Sequence, residues 1–378
     1  MRWIYGGVIA ISFLTTMLLS AQPMPPTLDD FWDGRAEWVV DNAYVGLPLG
    51  ESDTVVRADG VYVSYLHAST ASAGITDQCG APVAFPGCLT RWESVDGGNT
   101  FSLASPVCAI ACESCPCDDR RDHITAQQYP RVAVADDGMF YLMYEWHAHP
   151  VLRTSADGIN WSPGDEIRIP SGTWPTSYAP CTDVERIGAH PNIQGNVDDC
   201  LVGAPPGVFV EGDMLYVFVA AGSAPGHMRC YKGNRYEGVD GLSLCATDPL
   251  FSGAADYGPL DIAGGTAANP YFDFRYVSSA DVLKVGDRYY MTYEGVRGPD
   301  ALERGLDTQF GLGFARSATG EIDGAWEKFP GNPVLSDVSS NVGIGQADLL
   351  VVDGVTTMYT AATPYTRGRY ILAWAESE

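Results

Sequence analysis

Asp281-Val-Leu-Lys-Val-Gly-Asp-Arg-Tyr-Tyr-Met-Thr-Tyr293 reads as two alternating strands folded over Gly286-Asp287, and Asp348-Leu-Leu-Val-Val-Asp-Gly-Val-Thr-Thr-Met-Tyr359 repeats the plan over Asp353-Gly354. Three more hairpins are legible upstream: Asp53 to Tyr65 around Asp59-Gly60, Pro130 to Tyr144 around Asp137-Gly138, and Gly207 to Val219 around Gly212-Asp213. Their spacing of about 70 residues leaves room for four strands and a loop per unit. Each unit is too short to bury both of its faces, so neighbours must cover one another around an axis. The sequence therefore predicts an all-β chain, a five-bladed β-propeller.

Third strands follow several hairpins. Leu89 to Phe101 and Val151 to Trp161 each run into a Ser-x-Asp-Gly turn and close on an aromatic residue, and Phe310 to Ser317 with Trp326 repeats the plan without the Asp. In such turns Asp and Ser satisfy local backbone donors, Gly supplies the positive φ, and the aromatic packs between blades. The last unit supplies three strands before ending at Tyr370 to Ala375. Ala36 to Val40 is expected as its fourth, so that pairing of the N-terminal and C-terminal strands closes the ring and protects an open edge.

Residues outside this framework speak to compartment. Met1-Arg2, the apolar run Trp3 to Leu19 and Ser20-Ala21-Gln22 have the pattern of a secretory signal, giving a signal over 1–21 and a propeller over 22–378. Once the signal is cleaved, no membrane association is expected, and the chain is expected to be secreted or periplasmic. Ten cysteines in an exported chain imply disulfides, and proximity suggests Cys79 with Cys88, Cys181 with Cys200, and Cys230 with Cys245. Cys108, Cys112, Cys115 and Cys117 read as two local disulfides in preference to a zinc site. A formal net charge of -25 argues against nucleic acid as a partner, since phosphate backbones require a basic footprint.

Strand ends set the candidate site. In antiparallel blades, the start of the first strand and the end of the second share a rim, which gathers Asp53, Asp281 and Asp348 with Glu145 and Glu294. Several carboxylates around one channel push their proton affinities apart, so a neutral acid and an ionised base can coexist. The following loops add His67, His147, His149, Arg297, Arg304, Arg367 and Arg369, without the spacing of a metal motif. Catalysis is expected to require no cofactor. Asp and carbonyl oxygens at the axis would suit a structural calcium ion, although no dedicated loop is present.

Tyr289 to Gly295, Gly311 to Ser317, Trp326 and Gly331 to Leu335 resemble the five-bladed propeller glycoside hydrolases of families 43 and 32 and their relatives. The resemblance implies hydrolysis of a glycosidic bond by carboxylates in the central pocket. Carried over residue by residue, it makes Asp53 the base or nucleophile, Glu294 the acid and Asp281 the group that tunes it. Glu145, His147, Arg297, Asp348 and Arg367 become substrate-binding residues, and Trp146, Tyr271 and Tyr365 can stack on a sugar. The sequence departs from the family 43 pattern in three ways. Asp53-Thr54 replaces Asp-Pro, Asp281 lies in blade 4, and Glu294 comes from a second strand. Arginines at the mouth would favour an anionic sugar. Two rival readings are a propeller that binds carbohydrate without turnover and a sialidase-like hydrolase, the latter from the Ser-x-Asp-Gly turns and Arg168-Ile-Pro170.

Overall fold

The computed structural model describes residues 24–67, 74–77, 80, 82–83, 87–110, 127–146, 149–166, 201–202, 206–222, 227–252, 273, 276–296, 310–335, 346–363 and 366–376. Five antiparallel sheets follow one another as blades. Blade 1 is built from Glu51–Val56, Tyr62–His67, Leu89–Ser94 and Ser102–Leu103. Blade 2 comprises Gln127–Val134, Phe140–Trp146, His149–Ser155 and Asp165–Glu166. Gly207–Glu211, Met214–Gly222, His227–Asn234 and Ser243–Leu244 form blade 3, with Leu201–Val202 and Phe251–Ser252 added at its edges. Tyr276–Val285, Arg288–Val296, Phe310–Ser317 and Trp326–Lys328 make blade 4.

Blade 5 contains Asp348–Val352, Val355–Thr363 and Thr366–Trp374, and its outer strand is Ala36–Asn42. Ala36 lies opposite Trp374 and Val40 opposite Tyr370, so the two ends of the fold close the ring as the sequence predicts. Helix α1, Leu28–Trp32, leads into that strand. A reciprocal capping box between Thr27 and Asp30 starts it, and Phe31 anchors it against Phe314 and Phe329 of blade 4.

The hydrophobic core is divided among the blade interfaces, as expected for units that bury their faces on each other. Val63 and Tyr65 meet Val132 and Leu142 between blades 1 and 2. Met143 and Leu152 meet Leu215 and Val217, and Phe218 and Met228 meet Met291 and Tyr293, at the next two junctions. Leu312 and Phe314 pack with Leu349 and Met358, and Tyr359 with Leu66 and Phe101, around the rest of the ring.

The Ser-x-Asp-Gly turns serve these junctions. Asp157 accepts from the Ile159 and Asn160 backbone N–H groups, each at 2.8 Å, and Asp96 accepts in the same manner from the Asn99 and Thr100 N–H groups and also from the Ser94 and Thr100 hydroxyls. Tyr65 of blade 1 donates its hydroxyl to the Gly158 carbonyl at 2.5 Å, and Tyr359 of blade 5 donates to Gly98 at 3.0 Å. Any side chain at Gly98 would strike that tyrosine oxygen at 1.9 Å, so the glycine is required by close approach as well as by its φ of 77°.

The cysteine pairing requires one correction. Cys88 bonds to Cys108, not to Cys79, which also removes Cys108 from the proposed local cluster. In the folded blade, Cys108 lies beside the start of the third strand, where the Ala109 N–H reaches the Leu89 carbonyl. Cys230 and Cys245 pair as expected. Cys79, Cys112, Cys115, Cys117, Cys181, Cys200 and the segment read as a signal lie outside the described residues.

Candidate active site

Counting back from each hairpin identifies one position that recurs in every blade. It is occupied by Asp53, Arg131, Gly207, Asp281 and Asp348, which pair across their hairpins with Tyr65, Met143, Phe218, Thr292 and Tyr359. Its carboxylates bind the following blade. Asp53 accepts from the Val132 N–H and Asp281 from the Leu349 N–H, both at 2.5 Å, and Asp348 accepts the hydroxyls of Ser52 at 2.8 Å and Thr54 at 2.9 Å. In blade 3 a side chain at Gly207 would meet the Ala280 carbonyl at 2.4 Å, so only glycine fits.

Arg131 breaks the acidic pattern and explains how it is tolerated. From blade 2 its guanidinium reaches Asp53 at 3.3 Å and the Ala347 carbonyl at 3.0 Å, and it donates to the Ser279 carbonyl at 2.6 Å. It therefore bridges blades 1, 4 and 5 while only 1% exposed. Arg367 joins from the third strand of blade 5, binding Asp348 at 2.9 Å and the carbonyls of Gly50, Gln346 and Tyr359. Three carboxylates thus share two guanidinium groups. Burial raises Asp53 well above the ordinary carboxylate range, with Asp281 and Asp348 adding to the rise and Arg131 opposing it. Asp281 is raised for the same first reason, and burial pushes Asp348 up to about 6 despite Arg367 and Arg131.

One level nearer the rim, a second set of groups converges. The second-strand residues two places beyond the recurring position are His67, Glu145, Ala220, Glu294 and Ala361. His67 Nδ1 lies 2.6 Å from Glu51 Oε2, directly across the hairpin, and the Glu51 side chain retains 31% exposure. The Ser278 hydroxyl donates to Glu294 at 3.2 Å. Burial, then the charge on Glu51, raise the Glu294 carboxyl to about 7, against opposition from Ser278 and Arg131. Burial also acts to raise Glu51, but His67 outweighs it and Arg367 adds to the pull, leaving Glu51 below its ordinary value. Two glutamates that feel one another are thus driven in opposite directions, one to hold its proton at neutrality and the other to stay ionised.

The sequence-predicted residues separate by depth. Glu294 lies at the level nearer the rim, within reach of the Glu51 charge. Asp53, at 3% exposure, and Asp348, fully buried, belong to the deeper layer with the partly exposed Asp281. Arg367, expected at the mouth, is an internal counter-ion at 1% exposure, and Arg369 pairs with Asp41 on the outer strands. Glu145 occupies in blade 2 the place of Glu294 in blade 4. His147, Arg297, Arg304, Tyr271 and Tyr365 lie outside the described residues, as does Arg168-Ile-Pro170. Glu51 and Arg131 were not singled out from the sequence. Glu51 lies two residues before Asp53 on the same alternating strand, and that spacing was its available signal.

The axial calcium expectation meets a specific obstacle. The Asp53 carboxylate with the Ala347 and Ser279 carbonyls would suit a hard cation, but these oxygens already accept from Arg131. At this level the residues do not fit an added ion. Among the described residues, no group of three or more His, Cys, Asp or Glu side chains is placed to hold a metal.

No family model and no curated protein matches the chain. Among solved structures it is similar to a mutant of the GH43 protein BlXynB from Bacillus licheniformis, at 15% identity and a TM-score of 0.49, covering 90% of this chain and 55% of that one. It is also similar to an endo-1,4-beta-xylanase from Bacteroides thetaiotaomicron, at 14% identity and a TM-score of 0.49, over 90% of this chain and 97% of that one. An alpha-L-arabinofuranosidase from Podospora anserina is similar at 13% identity and a TM-score of 0.48, over 93% and 94% of the two chains. Likeness at this level decides nothing about the chemistry, and the five-bladed propeller rests on the sheets of this chain.

Proposed function

We propose that this chain is an exported glycoside hydrolase in which Glu294 protonates the leaving oxygen and Glu51 is the ionised carboxylate acting on water or on the sugar. The observation that carries this reading is the contrast in setting of two glutamates at one level, Glu51 held 2.6 Å from His67 and Glu294 buried against the Ser278 hydroxyl, which drives their proton affinities apart. Acetal cleavage needs this division of labour, one carboxyl protonated and the other not. The reading transfers the base role from Asp53 to Glu51, because Asp53 is buried and bound to Arg131 and the Val132 N–H. Asp53, Asp281 and Asp348, with Arg131 and Arg367, then form the polar floor beneath the pair. The two disulfides among the described residues fit an oxidising compartment. No helix among the described residues is long and apolar enough to cross a membrane.

The substrate in this reading is an oligo- or polysaccharide. The preference for an anionic sugar now rests on Arg297 and Arg304, since Arg367 and Arg369 are engaged with Asp348 and Asp41. Competition by neutral and sulfated oligosaccharides decides it, and equal competition removes the preference. The function itself is tested by screening furanoside and pyranoside substrates beside a glycan-binding array. Turnover that falls about 10²- to 10⁴-fold in Glu294→Gln and in Glu51→Gln is the expected result. Binding without turnover on any substrate would replace the enzyme with a carbohydrate-binding propeller.

A further inference from the structure

Among the described residues four non-glycines have positive φ; Asp353 lies in a hairpin turn, and the other three mark one level of this ring. Tyr129 at φ 50°, Ser279 at φ 52° and Gln346 at φ 30° each stand two residues before the recurring position, in blades 2, 4 and 5. A non-glycine residue held there is strained and persists only where its surroundings over-determine it. Strand register slips at two of these sites, between Gln128 and Arg131 and between Ser278 and Asp281. Such a bulge re-aims side chains. In blade 4 it sets Ser278 opposite Glu294 and within hydrogen-bond distance of it. Ser279 is buried as well, and its hydroxyl acts with that of Ser278 to favour the ionised form of Glu294.

The Ser279 carbonyl is where this bulge is held. It accepts the 2.6 Å hydrogen bond from Arg131, whose other nitrogen is fixed by Asp53 and the Ala347 carbonyl. We propose that Arg131 is a positioning residue for the proton donor: its guanidinium, clamped by blades 1 and 5, pins the left-handed bulge at Ser279 that presents two serines to Glu294. The role of Arg131 as a blade-to-blade tie does not require this, since Asp53 and Ala347 alone would satisfy such a tie. The groups facing Glu294 are Glu51 from blade 1, Arg131 from blade 2 and Ser278 and Ser279 from its own blade. Leu312 lies opposite it on the third strand. The proposal rests on Glu294 as the proton donor, but its test does not need a substrate.

The test follows the carboxyl carbon of Glu294 by NMR through a pH titration of protein labelled at glutamate Cδ, with the signal assigned by its loss in Glu294→Gln. Arg131→Lys keeps the positive charge but cannot span both Asp53 and the Ser279 carbonyl, because an ammonium lacks the planar fork. The Glu294 midpoint should rise by about one pH unit, a ten-fold gain in proton affinity. Ser279→Gly tests the second half of the chain of contacts. Glycine adopts the positive φ freely, so this variant should fold, and the midpoint should again rise. An unchanged midpoint in a folded Arg131→Lys protein, or in Ser279→Gly, overturns the proposal. If Arg131→Lys fails to fold, Ser279→Gly alone decides. Lost turnover with an unmoved midpoint would count against this positioning role while leaving the hydrolase reading intact.

Discussion

At the scale of single residues, Glu51 and Glu294 owe their difference to partners rather than to depth alone. His67 faces Glu51 at 2.6 Å, whereas Glu294 has a hydroxyl and a nearby negative charge. A pH dependence follows with a definite sign. The competent form needs Glu294 protonated and Glu51 ionised, so activity should decline as pH rises through about 7. On the acid side it should decline only below the ordinary carboxylate range. A pH profile of kcat/KM checks both limbs, and activity still climbing at about pH 8 contradicts Glu294 as the acid. His67→Ala should move the acid limb to higher pH, because the group that holds the Glu51 proton off is gone.

At the scale of strands and turns, the recurring position preserves geometry more strictly than chemistry. Gly207 shows this most sharply: Gly207→Ala should destabilise the fold by about 1–3 kcal/mol through collision with the Ala280 carbonyl, read as a lower denaturation midpoint with an unchanged slope. The turn residue Asp157 should behave oppositely with respect to function. Asp157→Ala removes bonds to Ile159 and Asn160 and should cost about 1–2 kcal/mol of stability while leaving turnover unchanged. The hairpins were legible because Gly-Asp and Asp-Gly turns, alternation and β-branched residues all announce them. The bulges were not, since Tyr129, Ser279 and Gln346 carry no local signal for a positive φ that tertiary contacts impose. Strands in blades 2 and 4 consequently begin earlier than the sequence suggests, with Asp281 inside Tyr276–Val285 instead of at its start. Arg131 was hidden for a related reason: it occupies an Asp place in the repeat, and only its reach across the ring shows that it answers the acids of three other blades.

For the whole molecule, the buried carboxyls make stability depend on pH. Groups with raised folded values bind more protons folded than unfolded, so stability should fall as pH rises from the ordinary carboxylate range through about 6 for Asp348 and about 7 for Glu294, with Asp53 and Asp281 acting in the same direction. The shift of Glu294 from 4.5 to about 7 is on the order of 3 kcal/mol. Below the ordinary range the sign reverses. Glu51, and Asp96 held near 2 by the Ser94 and Thr100 hydroxyls, lose their folded-state advantage on protonation. A series of Tm values should therefore peak at mildly acidic pH, near about 4–5, and a maximum at neutrality would contradict the buried-carboxyl account. Ring closure bears on a different property, the order of assembly. Asp41 and Arg369, which meet where the ends pair, are 328 residues apart in sequence. A chain emerging from its N-terminus presents Ala36–Asn42 long before any partner strand exists. Every product of synthesis interrupted before Thr366–Trp374 carries that unpaired edge, and its tendency to aggregate or to be degraded distinguishes it from the closed ring. Pairing of Thr366–Trp374 with Ala36–Asn42 thus acts as a completeness check on the ring.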